Sequence, residues 1–307
     1  MNMRRWWTLA FVGAVIVGSR STKGQPPAFR AGVDVVTLNV TATDGSRRYV
    51  TNLGRSDFLV LEDGRRQELT FFQRTALPLA LALLIDTSAS MEESLPIAQD
   101  AAIGFVRELS SADVASVIDF DSRVEVRQEF TGDRGALERA IRRTAAGGST
   151  SLYNAVYIAL KELRKTIGDE PITDPRRRAI VVLSDGEDTS SLVGFDEVLD
   201  LAARSDTAIY TIGLFGRETP GVRRSQEAQF VLRRFAQQTG GRAFFPVDAK
   251  ELAGIYGEIK AELASQYALA YESSNPRRDG QFRRIAVRIE RSGVVARARP
   301  GYYAPTK

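Results

Sequence analysis

LALALLIDTSAS, residues 79–90, is an unbroken apolar run that ends in an aspartate followed by spaced hydroxyls. Leu79 to Ile85 holds no polar residue and no alternation. This predicts a strand buried on both faces of a parallel sheet, because a strand with one wet face alternates. Asp86 falls at the carboxyl end of that strand, with Ser88 and Ser90 beyond it. Open α/β sheets bind ligands just outside the carboxyl ends of their strands. Hard oxygens at alternate positions point to a hard cation; Mg²⁺ keeps several waters, so one or two carboxylates and a few hydroxyls are enough.

On either side of this run the patterning changes. Before it, Val36, Leu38, Val40 and Ala42 alternate with polar residues as in a half-buried strand, and Phe58–Glu62 and Gln67–Phe72 flank the turn signal Asp63-Gly64 as a hairpin with a slightly longer loop. After it, strand and helix signals alternate. Ile97, Ala101, Phe105 and Leu109 form one helical stripe, and Leu152, Ala155, Val156, Ala159, Leu160 and Leu163 form another. Val114–Phe120, Ala179–Leu183 and Ala208–Leu214 read as strands, Ser122–Phe130 as an edge strand, and Leu252, Ile255, Ile259 and Leu263 as a closing helix. From Gln266 the pattern is β again. The expected fold is therefore α/β, a doubly wound, mostly parallel sheet, with a flanking all-β sandwich-like domain built from both termini. Residues 1–25 read as a signal peptide, 26–75 as an N-terminal β segment, 76–265 as the α/β domain and 266–307 as a C-terminal β segment.

Composition narrows the chemistry. The 307 residues are 43% hydrophobic and 26% charged, the balance of a globular chain. There is no Cys and no His, which removes thiol nucleophiles, disulfides, a Ser-His-Asp triad and the usual zinc sites. The formal charge is only +4, but Asn275–Lys307 carries nine Lys/Arg against two Asp/Glu. No nucleic-acid motif accompanies this basic segment, so it reads as a solvated strand face. Arg4-Arg5 followed by the apolar stretch Trp6–Gly18 has the form of an export signal, too short to span a membrane comfortably. No other run is long and apolar enough to span, so the chain is expected to be exported: periplasmic, envelope-bound or secreted.

Three strand-end loops now supply oxygen: Asp86, Ser88 and Ser90 from the first, Thr150 in GGSTS, and Asp185 in LSDGED. Singly, Asp86, Ser88 or Ser90 would read as a helix N-cap. Glu187 and Asp188 read as exposed loop charges, Asp119 and Asp121 as solvated strand-end carboxylates, and Tyr302 and Tyr303 as strand packing. The Gly-Gly-Ser-Thr stretch lacks the Lys and spacing of a phosphate-binding P-loop.

In order, these loops resemble the metal-ion-dependent adhesion site of a von Willebrand factor A domain: D-x-S-x-S at 86–90, a later Thr at 150, and an Asp after a further apolar strand at 185. The flanks VLEDGRRQ and NPRRDGQFRRIAVRI also resemble an exported subfamily known from acidobacterial genomes. The resemblance implies that Ser88 and Ser90 ligate Mg²⁺ (or Mn²⁺ or Ca²⁺) directly, Thr150 directly or through water, and Asp86 and Asp185 largely through water. Neutral hydroxyls leave the ion poorly compensated, so an incoming carboxylate is strongly attracted. Gly186 and the Gly147-Gly148 pair would let backbone approach the ion. The expected function is non-enzymatic capture of an acidic group on a protein partner. The alternative is an envelope scaffold with a structural metal and the β flanks making the contacts. Hydrolysis by metal-bound water is a weaker third reading, since no general base is in place.

Overall fold

The computed structural model describes residues 35–74, 77–167, 176–184, 187–215 and 222–306. The export segment, Asp185, Gly186 and most of the polar loops at 169–178 and 216–225 lie outside the described residues. In chain order the elements are β1 (Val35–Asp44), β2 (Phe58–Glu62), β3 (Arg65–Gln67), β4 (Leu69–Gln73), β5 (Leu79–Asp86), α1 (Leu95–Arg107), β6 (Val114–Phe120), β7 (Val124–Thr131), α2 (Arg134–Arg142), α3 (Leu152–Ile167) and β8 (Arg177–Ser184). There follow α4 (Phe195–Arg204), β9 (Thr207–Gly213), α5 (Val222–Thr239), β10 (Ala243–Phe244), α6 (Leu252–Ser265), β11 (Tyr267–Glu272), β12 (Phe282–Ile289), β13 (Val294–Arg297) and β14 (Gly301–Tyr303).

β5 lies inside a six-stranded sheet of order β10-β9-β8-β5-β6-β7. All its pairings are parallel except that of the edge strand β7 with β6. Every residue of β5 is buried, as its uniform apolarity requires. Leu79, Leu81, Leu83 and Ile85 pack with α1, α2 and α6 on one face. Ala80, Ala82 and Leu84 pack with α3, α4 and α5 on the other. Chain direction decides where the sheet opens. β5 leads through α1 to β6 on one side, while its other neighbour β8 leads through α4 to β9 on the opposite side. The carboxyl ends of β5 and β8 therefore flank a topological switch point, where no crossover helix closes the edge.

The two flanks form a pair of four-stranded sheets, β13-β1-β11-β4 and β14-β12-β2-β3. Each sheet takes two strands from before the α/β body and two from after it. Val36, Leu38, Val40 and Ala42 are buried as a face, against Tyr267, Leu269, Ile285 and Tyr302.

Three expectations need correction. The hairpin loop is not longer: Glu62 pairs directly with Arg65 across Asp63 and Gly64, whose φ values of 47° and 82° make the two-residue turn. The stretch 67–72 is not one strand. Arg65–Gln67 stays with β2, and Leu69–Gln73 crosses to the other sheet beside β11, where Leu69 and Phe72 join the core that β11 helps to build. Ile97 lies at the exposed edge of α1, whose buried stripe runs through Ala98, Ala101, Ala102, Phe105 and Val106.

Candidate metal centre

Asp86 is fully buried, at 0% exposure. Its Oδ1 accepts the backbone N–H of Ser88 at 2.9 Å, and its Oδ2 accepts the hydroxyl of Ser184 from the end of β8. The first bond folds the chain over so that Ser88 and Ser90 turn their hydroxyls together, 3.1 Å apart. Burying a carboxylate is costly unless hydrogen bonds or a cation compensate it, and its field there is weakly screened. The helix-cap reading fails for all three residues. α1 starts only at Leu95 after Ser94, and Ser88, which precedes a short 3₁₀ turn at Ala89–Met91, makes no side-chain cap bond.

The second loop is fastened to the first by its backbone. Gly147 N–H donates to Thr87 O at 2.7 Å, and Ala89 N–H donates to Gly148 O at 3.1 Å. Gly148 has φ +75°, and a Cβ there would lie 2.6 Å from Ser122 Oγ. Glycine is thus required at 148 by the turn and by Ser122. Gly147 has open space around it. Ser122 Oγ accepts the Ser149 N–H at 3.0 Å, and Ser151 Oγ donates to Asp121 O at 2.7 Å. These bonds carry Thr150 into a buried position, where its hydroxyl makes no hydrogen bond among the described residues.

The third loop is tied to Thr150 in turn. The N–H groups of Thr189 and Ser190 donate to Thr150 O at 2.8 and 3.0 Å, and Thr150 N–H donates to Thr189 Oγ1 at 3.0 Å. Asp188 is not an exposed loop charge: its Oδ1 accepts Tyr153 N–H at 3.2 Å and Ser191 Oγ–H at 2.6 Å at the start of α3. The structure therefore brings together the loops bearing Asp86, Ser88, Ser90 and Thr150, while Asp185 lies outside the described residues between Ser184 and Glu187. Sequence reasoning missed Ser184, Thr189 and Asn154, which hold the loops. Only Ser184 left a trace, since a parallel neighbour of Asp86 ending in Ser would face the same crevice.

Asp119 is the other correction. It is buried rather than solvated, and Arg127 Nε on the edge strand donates to its Oδ2 at 2.7 Å. Burial nonetheless pushes its carboxyl above the ordinary aspartate range, the opposing pull of Arg127 being the smaller effect.

The donor set suits a hard cation. Among the described residues no group of three or more His, Cys, Asp or Glu side chains could hold a metal, so a cation held here would have to draw on hydroxyls as well. A carboxylate with the Ser88 and Ser90 hydroxyls beside it, and Thr150 on the loop bonded to theirs, is a set of hard oxygens of the kind that Mg²⁺ or Ca²⁺ accepts.

The fold is a doubly wound α/β domain whose candidate site lies at the switch point. Residues 81–187 match the family model described as the von Willebrand factor type A domain. Inter-alpha-trypsin inhibitor heavy chain H1 of Sus scrofa is 25% identical over 247 residues, 72% of this chain and 26% of that protein, so the chain spans about a quarter of the relative it matches. Among solved structures, a von Willebrand factor type A protein from Catenulispora acidiphila aligns with TM-score 0.53 and 14% identity, covering 91% of this chain and 76% of that one. Proximal thread matrix protein 1 of the mussel byssus aligns with TM-score 0.50 and 14% identity, covering 70% and 51%. Domains of this family often mediate protein–protein interactions and commonly bind a divalent metal at this kind of motif. No helix among the described residues is long and apolar enough to cross a membrane.

Proposed function

We propose that this chain is an exported, non-catalytic binding protein that captures an acidic group of a protein partner through a divalent cation. Ser88, Ser90 and Thr150 would supply hydroxyl oxygens, with Asp86 and Asp185 acting from behind through water. Mg²⁺ is the proposed resident ion, with Mn²⁺ and Ca²⁺ as chemically acceptable substitutes. The observation that carries this reading is the buried Thr150, delivered by two interlocked loops to the crevice of Asp86 with its hydroxyl making no hydrogen bond among the described residues. The absence of His and Cys supports a binding role over catalysis, since the residues that most often shuttle protons or attack carbonyls are missing. Export rests on residues 1–25 alone.

The test is calorimetric titration of the metal-stripped protein with Mg²⁺, Mn²⁺ and Ca²⁺, beside Asp86→Ala. Saturable one-site binding in the parent, lost in the variant while its circular dichroism stays folded, is the expected result. Equal binding by both proteins, or none by the parent at millimolar ion, rejects the site.

A further inference from the structure

The ladder between β6 and the edge strand β7 is interrupted at Ser116. Ala115 pairs with Thr131 and Val117 with Gln128, so two residues, Glu129 and Phe130, stand opposite one. Such a β-bulge leaves a residue unpaired and re-aims the side chains around it. Ser116 shares its face of β6 with Ile118 and Phe120, the face that packs on α3. Here, between β7 and the C-terminal end of α3, a cavity of about 210 Å³ opens, with Ser116, Val126, Glu129, Phe130, Glu162 and Lys165 in its lining. Ser116 is 1% exposed, and its hydroxyl makes no hydrogen bond among the described residues. Burying a hydroxyl without a partner is costly, and alanine would fill the same place without that cost. The exposed Glu129 carboxylate is also unpaired among the described residues, since Arg127 beside it serves Asp119 and Glu125. Glu162 meets Lys165 Nζ at 3.4 Å, a solvent-exposed pair of little strength.

We propose that this cavity binds a small primary amine, its ammonium taken by Ser116, Glu129 and Glu162 and its apolar body lying on Phe130 and Val126. Two carboxylates against one lysine leave the lining net negative, which selects a cation over an anion. An ammonium carries three donors and no acceptor, and the buried hydroxyl with the two carboxylates offers it acceptors of the kind that form strong, charge-assisted bonds. Phe130 is partly buried against the α3 side of the core, so the apolar wall is fixed before a ligand arrives. The volume exceeds what a single water needs and falls below the roughly 300–1,000 Å³ of pockets for drug-sized ligands, so the amine is small. The site is separate from the cation crevice: α3 begins at Leu152, two residues from Thr150, and the cavity lies at its other end.

The experiment is titration of the full chain, in Mg²⁺, with benzylamine, benzyl alcohol and benzoate, followed through backbone amide NMR shifts in the parent, Ser116→Ala and Glu129→Gln. Glu129 is exposed and the Ser116 hydroxyl bonds nothing among the described residues, so both variants should fold, Ser116→Ala with a Tm equal to or above the parent's. The expected result is saturable shifts with benzylamine at Val126–Phe130 and along the last two turns of α3. Affinity should fall about tenfold in Glu129→Gln and at least severalfold in Ser116→Ala, with benzyl alcohol and benzoate about tenfold weaker than the amine in the parent. No saturation at millimolar benzylamine overturns the proposal, as do shifts centred on the Asp86 crevice instead of β7. Equal binding of all three probes, or affinity unchanged in both variants, reduces the cavity to an unselective apolar groove. A clearly lower Tm in Ser116→Ala would also overturn it, by showing that the hydroxyl is already engaged inside the fold.

Discussion

Asp86 and Asp119 end neighbouring strands of one sheet and are both buried, yet their surroundings put them to different uses. Asp86 faces the crevice and is held by Ser88 N–H and Ser184. Asp119 faces the edge strand and is closed off by Arg127. Nothing in the sequence around either residue reveals this, because a strand-end Asp is followed by a polar loop in both. Asp119 gives a pH prediction. Its folded pKa is raised by burial, so its contribution is fully present below the unfolded Asp value of about 3.9 and is lost as pH rises through the folded value. Relative to Asp119→Asn, the parent should lose stability as pH rises from about 4 through the raised folded pKa. Asp44, held low by the backbone N–H of Arg48, and Glu138, held low by Arg107, act oppositely but are common to both proteins. Urea unfolding across that range measures the difference; parallel curves would contradict it.

At the scale of elements, β5 and α3 were legible because their periods are unambiguous: uniform apolarity in one, an i, i+3, i+4 stripe in the other. β3 and β4 were not, because the crossing between sheets is decided by which partner strand offers a core, and β11 lies far along the chain. α6 shows the same dependence. Its Glu262 is buried, accepting Tyr210 OH at 2.7 Å, and is paired with Arg297 of β13 at 2.5 Å. Arg297 also donates to the carbonyls of Gly240 and Gly241 at 2.7 and 2.6 Å. Three elements distant in sequence thus meet on one guanidinium. Arg297→Met should destabilise the protein by about 3 kcal/mol, because it leaves a buried carboxylate without its cation. Arg297→Lys should recover less than half of that, since one ammonium cannot span the carboxylate and both carbonyls. Denaturant melts of the two variants decide this; a loss below about 1 kcal/mol for Met would mean the pair is solvated like a surface bridge.

For the whole molecule, the sandwich is closed only when the chain returns from the α/β domain. β1 lies between β11 and β13, and β2 pairs with β12, so each sheet lacks its inner partners until the last forty or so residues are in place. Inside it, Glu62 and Arg283 are each 2% exposed and share Ser273 and Tyr302, with Tyr271 also on Glu62. The basic segment from Asn275 onward is therefore not one solvated face. Arg283, Arg291, Arg297 and Arg299 are paired with Glu62, Asp57, Glu262 and Asp206. Ending the chain after Ser265 should leave β5 amides slow to exchange while those of Val36, Leu38 and Val40 come within about tenfold of unstructured chain. Hydrogen exchange with fragment resolution tests this; undiminished protection of β1 would show that the N-terminal strands hold without their partners.

Local patterning by itself determined the α/β alternation, the doubly buried central strand, the half-buried face of β1 and the positions of the spaced oxygens, because hydrophobic period and residue chemistry are properties of short stretches. Only the tertiary structure decided that Asp119 is sealed by an edge-strand arginine, that Gly148 serves Ser122, that Asp188 holds α3, and that four arginines of the basic tail are paired with carboxylates elsewhere in the fold. Those outcomes depend on pairings between residues remote in sequence. Their energies come from burial and from hydrogen bonds that exist only once the sheets have closed.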